Sequence, residues 1–440
     1  MSELELQTSQ RREPFGLWSA TFLVVANMIG AGIFTTSGFS FGDLGDRQYV
    51  MVAWVIGSLI AVCGAVSYGH LAQKITESGG EYLFLTRMVH PSVGFIAGWV
   101  SMLAGFTGAI AFAAKAFESY AVPESIQPDW YLPGLVAIAP ILIFGVLHSF
   151  VLKKGLAAQN LIVLVKLILL VLFVGFAFST YPAGWQGMQV ETEAVPFSIF
   201  AIASTLVWIS LSFSGFNAAV YVTGEVDKPE TNVPRALLLG TLLVSAFYFV
   251  LNFIFLFGAK PESIKNVKDV AAAASFAIGG QPLAGSIRGI VSVALLSSVS
   301  SMVVAGPRVY AKMAEDGVFP SWFNAVDRGQ QTVPTAAIWL QVGLAVTVVC
   351  FSTLKSLLDY LGFTLSVSAA LTVACIFWTK RGESTSRKGY QLIAGVYVVA
   401  TITLAVLFAI KNTAQLIAFV VTVASGLILY GVSKNFRSVD

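Results

Sequence analysis

The chain has 440 residues, of which 56% are hydrophobic and only 11% charged, with a net charge of +3 and a mean hydropathy of +0.80. An average soluble domain carries about 25% charged residues, and a soluble protein of this length cannot hide so much apolar surface. A soluble enzyme, a nucleic-acid binder and a disordered chain are therefore disfavoured together, and the solvent for most of the chain is lipid.

In chain order, residues 1–14 form a polar tail and are followed by twelve apolar runs, at 17–41, 49–71, 93–120, 131–151, 157–180, 197–223, 234–258, 283–314, 334–351, 356–378, 389–411 and 414–433. Each is close to the roughly 20 residues of helix that a bilayer core requires. The runs are continuous rather than alternating, which excludes a β-barrel, and the first is too long for a signal peptide. The expected fold is an all-α membrane protein of twelve transmembrane helices. A cytoplasmic N-terminus places 17 of the 26 basic residues inside and 8 outside, leaving Lys166 on neither side. The basic bias then sets both termini in the cytoplasm of a cell membrane. Cys63, Cys350 and Cys375 lie within apolar runs without metal-like spacing and read as small hydrophobes. No metal and no cofactor is expected, and the short polar stretches leave no output domain for a receptor or sensor.

Two runs carry helix-weakening clusters at mid-depth. Gly30-Ala31-Gly32 interrupts the first, and Ser212 to Asn217 interrupts the sixth. Glycine lowers helix propensity by about 1 kcal/mol, and serine offers a partner to freed backbone groups. Taken singly, each cluster reads as close helix packing. Five runs apart, they point instead to two five-helix repeats of opposite orientation, with a solute site at the midplane, as in the leucine transporter. Freed N–H groups at a half-helix start attract an anion, and freed carbonyls at a half-helix end attract a cation. A zwitterion such as an amino acid suits both.

The segment from Val25 to Phe34 resembles the first-span motif of the amino acid–polyamine–organocation (APC) transporters. Ser78 to Tyr82 with Val93 to Trp99, Phe213 to Phe216 with Gly224 to Pro229 and Val233 to Ala236, and Ala314 to Pro320 resemble later motifs of the same superfamily, in the same order. The resemblance implies a LeuT-type 5+5 inverted repeat with helices 1 and 6 broken. The repeats would occupy 15–180 and 181–379, with accessory helices 11 and 12 and a short tail in 380–440. It implies transport of amino acids or close amines. The substrate carboxylate would meet backbone N–H groups of Ala31 and Gly32, within a first break spanning Met28, Ile29 and Gly30. The α-amino group would meet carbonyls of Met28, Leu211 and Ser214, beside Gly215 and Asn217. Many relatives have an acidic residue where Asn217 stands, and some have a gating aromatic where Leu211 stands; Phe213 or Phe216 is the substitute candidate. Positions facing the substrate side chain correspond to Ala104, Gly105, Ala109 and Met302. None can hold a charge, so the expected substrate is neutral.

Lys166 is the one basic residue well inside a span, about 15 Å from the interface at 1.5 Å per residue. Its cost at mid-span, about 2.5–3.5 kcal/mol on insertion scales, marks such residues as interior-facing and functional. A lysine held away from water can release its proton near neutral pH. Two readings stand: a proton carrier, preferred, and a fixed tether hydrogen-bonded to the first break. The resemblance favours the carrier, because proton-coupled APC members have a lysine here where sodium-coupled relatives hold sodium. The site would be completed near Ile29 and by Ser297, Ser298, Ser300 or Ser301. The expected function is proton-coupled amino acid symport; the alternative is an ion-independent exchanger, with or without an accessory partner.

Weaker candidates remain. Glu81 and Arg87 are read as solvated loop charges or as an inner gate with Glu225, Asp227 or Arg235. Lys115 and Glu118 have the spacing of an i,i+3 pair. Asp359 is expected at the interface, and His70, His90 and His148 near span ends without metal spacing.

Overall fold

The computed structural model describes residues 16–123, 126–150, 155–182, 184–189, 196–324, 326–327, 332–378 and 386–437. The expected tail at 1–14 and the boundary near 380 lie outside the described residues. The described chain is helical apart from two two-residue strands, Val326–Asp327 and Thr332–Val333, paired antiparallel. Among the described residues, seven helices are long and apolar enough to cross a membrane, and a bent pair makes an eighth.

That pair is α1 (Leu17–Met28) and α2 (Ala31–Leu44), bent by 43° at a short break. The long helices are α3 (Arg47–Lys74), α5 (Pro91–Ala121), α9 (Pro229–Gly258), α10 (Val270–Glu315), α12 (Leu354–Ala374, continued by one 3-10 turn), α13 (Ser386–Lys411) and α14 (Thr413–Arg437). Shorter apolar segments lie in α6 (Leu135–Phe150), α7 (Gly155–Ser179), α8 (Ile199–Ser212) and α11 (Thr335–Phe351). The short helix α4 (Gly80–Met88) joins α3 to α5.

Local chemistry sets several ends. Asp46 caps α3 by accepting from the N–H groups of Gln48 and Tyr49 at 2.6 and 3.1 Å. Gly45, at φ +67°, ends α2 in the left-handed conformation that glycine allows. Thr353 and Ser356 form a reciprocal capping box on α12.

One expected bound is corrected, and two runs depart locally from regular α-helix. The eighth run, expected to begin at 283, belongs to a helix that starts at Val270 and kinks at Gly279 and Gly280. The alanine-rich stretch before the kink is itself helical, and Gly280 takes φ +66°, which few other residues adopt. The third run contains a π-helical stretch at Ser101–Gly108, carrying Ala104 and Gly105. The sixth run continues beyond its break as a 3-10 helix, Ala218–Glu225, rather than an α-helix.

Packing pairs elements five runs apart. α2 lies on α8, α3 on α9, the second half of α5 on α10, and α6 on α11. α1 meets the 3-10 helix at 218–225, so the two interrupted segments run antiparallel, each half beside the opposite half of the other.

Candidate functional site

The first break exposes the carbonyl end of α1 and the N–H end of α2 at the same depth. Ile29 leaves the helix at φ −76°, ψ 87°, and Gly30 is extended. In hydrocarbon, unpaired backbone groups cost several kcal/mol each. The carbonyls are met by two buried side chains. The Lys166 Nζ donates to the Ile29 carbonyl at 3.0 Å and to the Ala26 carbonyl at 3.4 Å. The lysine is 2% exposed. The Tyr248 hydroxyl, from α9, donates to the Met28 carbonyl at 2.5 Å. The start of α2 has no side-chain cap, so the first-turn N–H groups at Ala31 and Gly32 form the positive pole of the break.

The second break follows Ser212. Residues 213–217 form successive turns, with Gly215 at φ +102°. The Ser212 carbonyl lies 3.0 Å from the same Tyr248 hydroxyl, which has one proton to share between two helix ends. The Leu211 carbonyl accepts from the Ser214 N–H at 2.9 Å. The breaks touch through glycine: a Cβ on Gly32 would stand 2.6 Å from the Ser212 Cα, and one on Gly215 would stand 2.9 Å from the Asn27 carbonyl oxygen. The Thr36 and Ser212 hydroxyls pair at 3.0 Å. Only residues without a side chain let the two backbones approach this closely.

The other expected residues fall around this crossing. Ala104 is fully buried, while Gly105, Ala109 and Met302 are partly covered. Phe213 turns its ring onto Trp54 and Tyr248, at 6.1 and 5.2 Å between centroids. Phe216 packs on Tyr68 at 5.4 Å and on Tyr397 at 6.5 Å. Of the α10 serines, Ser298 faces the first break, its Oγ 3.9 Å from where a Gly30 Cβ would stand. Ser300 is drawn to α6 instead, 2.8 Å from the Nε2 of His148. Ser301 donates to the Ser297 carbonyl at 2.8 Å. The Ser297 hydroxyl is buried and makes no side-chain hydrogen bond among the described residues.

Other charged residues settle elsewhere. Glu118 accepts from the Tyr131 hydroxyl at 2.7 Å and from the N–H groups of Gly134 and Val136. Arg87 pairs with exposed Glu77 at 3.0 Å. Asp359 accepts from the Trp208 indole at 2.6 Å. Glu81 corrects the solvated reading outright, being 7% exposed and hydrogen-bonded to three side chains.

Tyr248 went unnoticed in the sequence although it joins both breaks. A signal was there: Tyr248 and Asn252 are polar residues four apart in an otherwise apolar run. Asn252 is fully buried, donates to the Tyr248 carbonyl at 2.8 Å and meets the Ser37 hydroxyl of α2.

A helix pair broken back to back, with a buried cation on one break, is the geometry of a solute carrier. The sequence matches the amino acid permease family over residues 15–432. The chain belongs to the amino acid permease family. The permease is thus a multi-pass membrane protein that transports amino acids, and it is not an enzyme. It is 25% identical to the serine/threonine exchanger SteT of Bacillus subtilis (strain 168) over 394 residues, 87% of this chain and 86% of that one. It is 24% identical to the Asc-type amino acid transporter 1 of Mus musculus over 403 residues, 88% of this chain and 75% of that one. It is 26% identical to the large neutral amino acids transporter small subunit 2 of Homo sapiens over 375 residues, 82% and 69% of the two chains.

Proposed function

We propose that the permease imports a neutral α-amino acid across the cell membrane by alternating access, in symport with a proton carried by Lys166. The observation that carries this reading is the pair of bonds from the Lys166 ammonium to the Ala26 and Ile29 carbonyls. A cation fixed at the end of α1 repels sodium from those oxygens. Loss of its proton turns two charge-assisted hydrogen bonds at the break into weaker neutral ones, so proton binding is linked to the shape of the substrate site.

In this reading the substrate carboxylate docks on the N–H groups of Ala31 and Gly32. The ammonium meets carbonyls at Met28 and in the turn holding Ser214, Gly215 and Asn217. Ala104, Gly105, Ala109 and Met302 surround the side chain, and their lack of charge favours a neutral one. The four shorter apolar helices also cross the bilayer, joining the other eight spans in a twelve-span protein with cytoplasmic termini. Packing between elements five runs apart supports repeats at 15–180 and 181–379, with 380–440 accessory.

The test is uptake of a panel of labelled amino acids into proteoliposomes under an imposed proton gradient. Gradient-driven accumulation that disappears in Lys166→Met upholds the reading. Equal responses in wild type and variant refute the proton role, and a strong preference for arginine or glutamate refutes the neutral-substrate assignment. A second reading, exchange without ion coupling, is favoured by the likeness to the serine/threonine exchanger. In it Lys166 is a permanent tether, and counterflow proceeds at full rate without any gradient.

A further inference from the structure

Helix α4 is too short to cross a membrane, yet Glu81 in its first turn is 7% exposed. Its carboxyl gathers three donors from three elements. The Tyr68 hydroxyl of α3 lies at 2.5 Å, the Asn217 Nδ2 at the end of the second break at 3.3 Å, and the Ser368 hydroxyl of α12 at 3.3 Å. The other titratable groups facing it are the phenols of Tyr221, from the 3-10 helix, and Tyr397, from α13. Among the described residues no lysine, arginine or histidine forms an ion pair with Glu81.

Burial without a cation pushes the Glu81 carboxyl up, against a smaller downward pull from the Tyr68 and Ser368 hydroxyls. Hydroxyls either donate or accept. The pocket therefore holds a carboxylate facing three donors, or a carboxylic acid whose own proton goes to Tyr68 or Ser368. Asn217 is the link to transport, because it closes the turn that begins at Phe213. The 3-10 helix beyond it returns to the α3–α4 loop, where the Gly224 N–H donates to the Ser78 hydroxyl at 3.0 Å. These contacts tie the second break to α3, α4 and α12 on this face.

We propose that Glu81 is a proton-binding site that latches this face of the permease: the neutral carboxyl holds α4, the second break and α12 together, and ionisation releases them. The proton comes from the water on that face and returns to it when the pocket opens. Acid on that face shifts the population toward the latched state. The inference needs no proton on Lys166, and exchange without net proton flux reads it out separately.

The experiment uses the full-length permease in proteoliposomes and follows exchange of a labelled amino acid that it transports, with the pH of each face varied alone. Wild-type exchange is expected to slow at least about fivefold as one face is acidified through the carboxyl range, and to ignore the other face. Glu81→Gln, a permanently neutral isostere, is expected to be slow and flat with pH. Ser368→Ala, which deletes one donor to the carboxylate, is expected to move the midpoint to higher pH. A Glu81→Gln profile that follows wild type overturns the proposal. If that variant is not recovered folded, an unmoved midpoint in Ser368→Ala overturns it. Exchange carries no net proton flux, so failure of the symport reading leaves this one standing.

Discussion

The two breaks solve one problem, unpaired backbone in a membrane, in different ways. In the first, α-helix stops and restarts across two residues, and a charged side chain covers the loose carbonyls. In the second, five residues turn before a 3-10 helix resumes, and other side chains cover it: the Tyr248 hydroxyl at its start and the Glu81 carboxyl, through Asn217, at its end. The first keeps a bare helix N-terminus and a fixed cation, which suits a charged ligand. The second spends its polarity on its neighbours, which suits a moving part. The Tyr248 hydroxyl reaches carbonyls of both, at Met28 and Ser212, and so ties the two breaks together.

The contrast is broken most severely where the backbones touch. Gly215→Val places a β-branched residue at φ +102° with its Cβ against the Asn27 carbonyl. Strain and clash together are expected to cost about 3 kcal/mol or more and to abolish uptake, read by thermal unfolding in detergent and by transport. Lys166→Met comes next. It leaves the Ala26 and Ile29 carbonyls without their donor, a loss of about 1.5–3 kcal/mol for hydrogen bonds to a charged group. Uptake driven by a pH gradient should fall to the level without one.

Tyr248→Phe tests the bridge. Losing one neutral hydrogen bond costs about 1 kcal/mol, and the apparent substrate affinity should weaken by about fivefold. If melting temperature falls while affinity stays fixed, the tyrosine only packs and does not position the site. The smallest effect belongs to Arg87→Ala. Its partner Glu77 and Arg87 itself are both well exposed, so stability should change by under about 0.5 kcal/mol and uptake not at all.

Much of this was legible in order. Gly30 to Gly32 and Ser212 to Asn217 announce breaks because glycine and serine are out of place in long apolar runs, and no partner is needed to see that. Lys166 is equally plain, since a mid-span lysine has few tolerable places, and the sequence-level pairing with Ile29 is the pairing the structure contains. Glu81 was misread because its burial comes from Asn217 and Ser368, more than 100 residues away in the chain. Ser300 was placed with Lys166 on the strength of its run, but a helix surface has several faces and His148 lies on the one Ser300 presents.

By itself the sequence determined the solvent, the helical class, the positions of the breaks and the mid-span lysine. Each follows from composition or from local cost, terms that depend on few neighbours. Only the tertiary structure decided which groups answer each broken end. Tyr248 reaches Met28 and Ser212 across 220 and 36 residues of chain because α9 packs along α1 and α3. A hydrogen bond inside a membrane is chosen by what folding brings within about 3 Å, and hydropathy has no record of that.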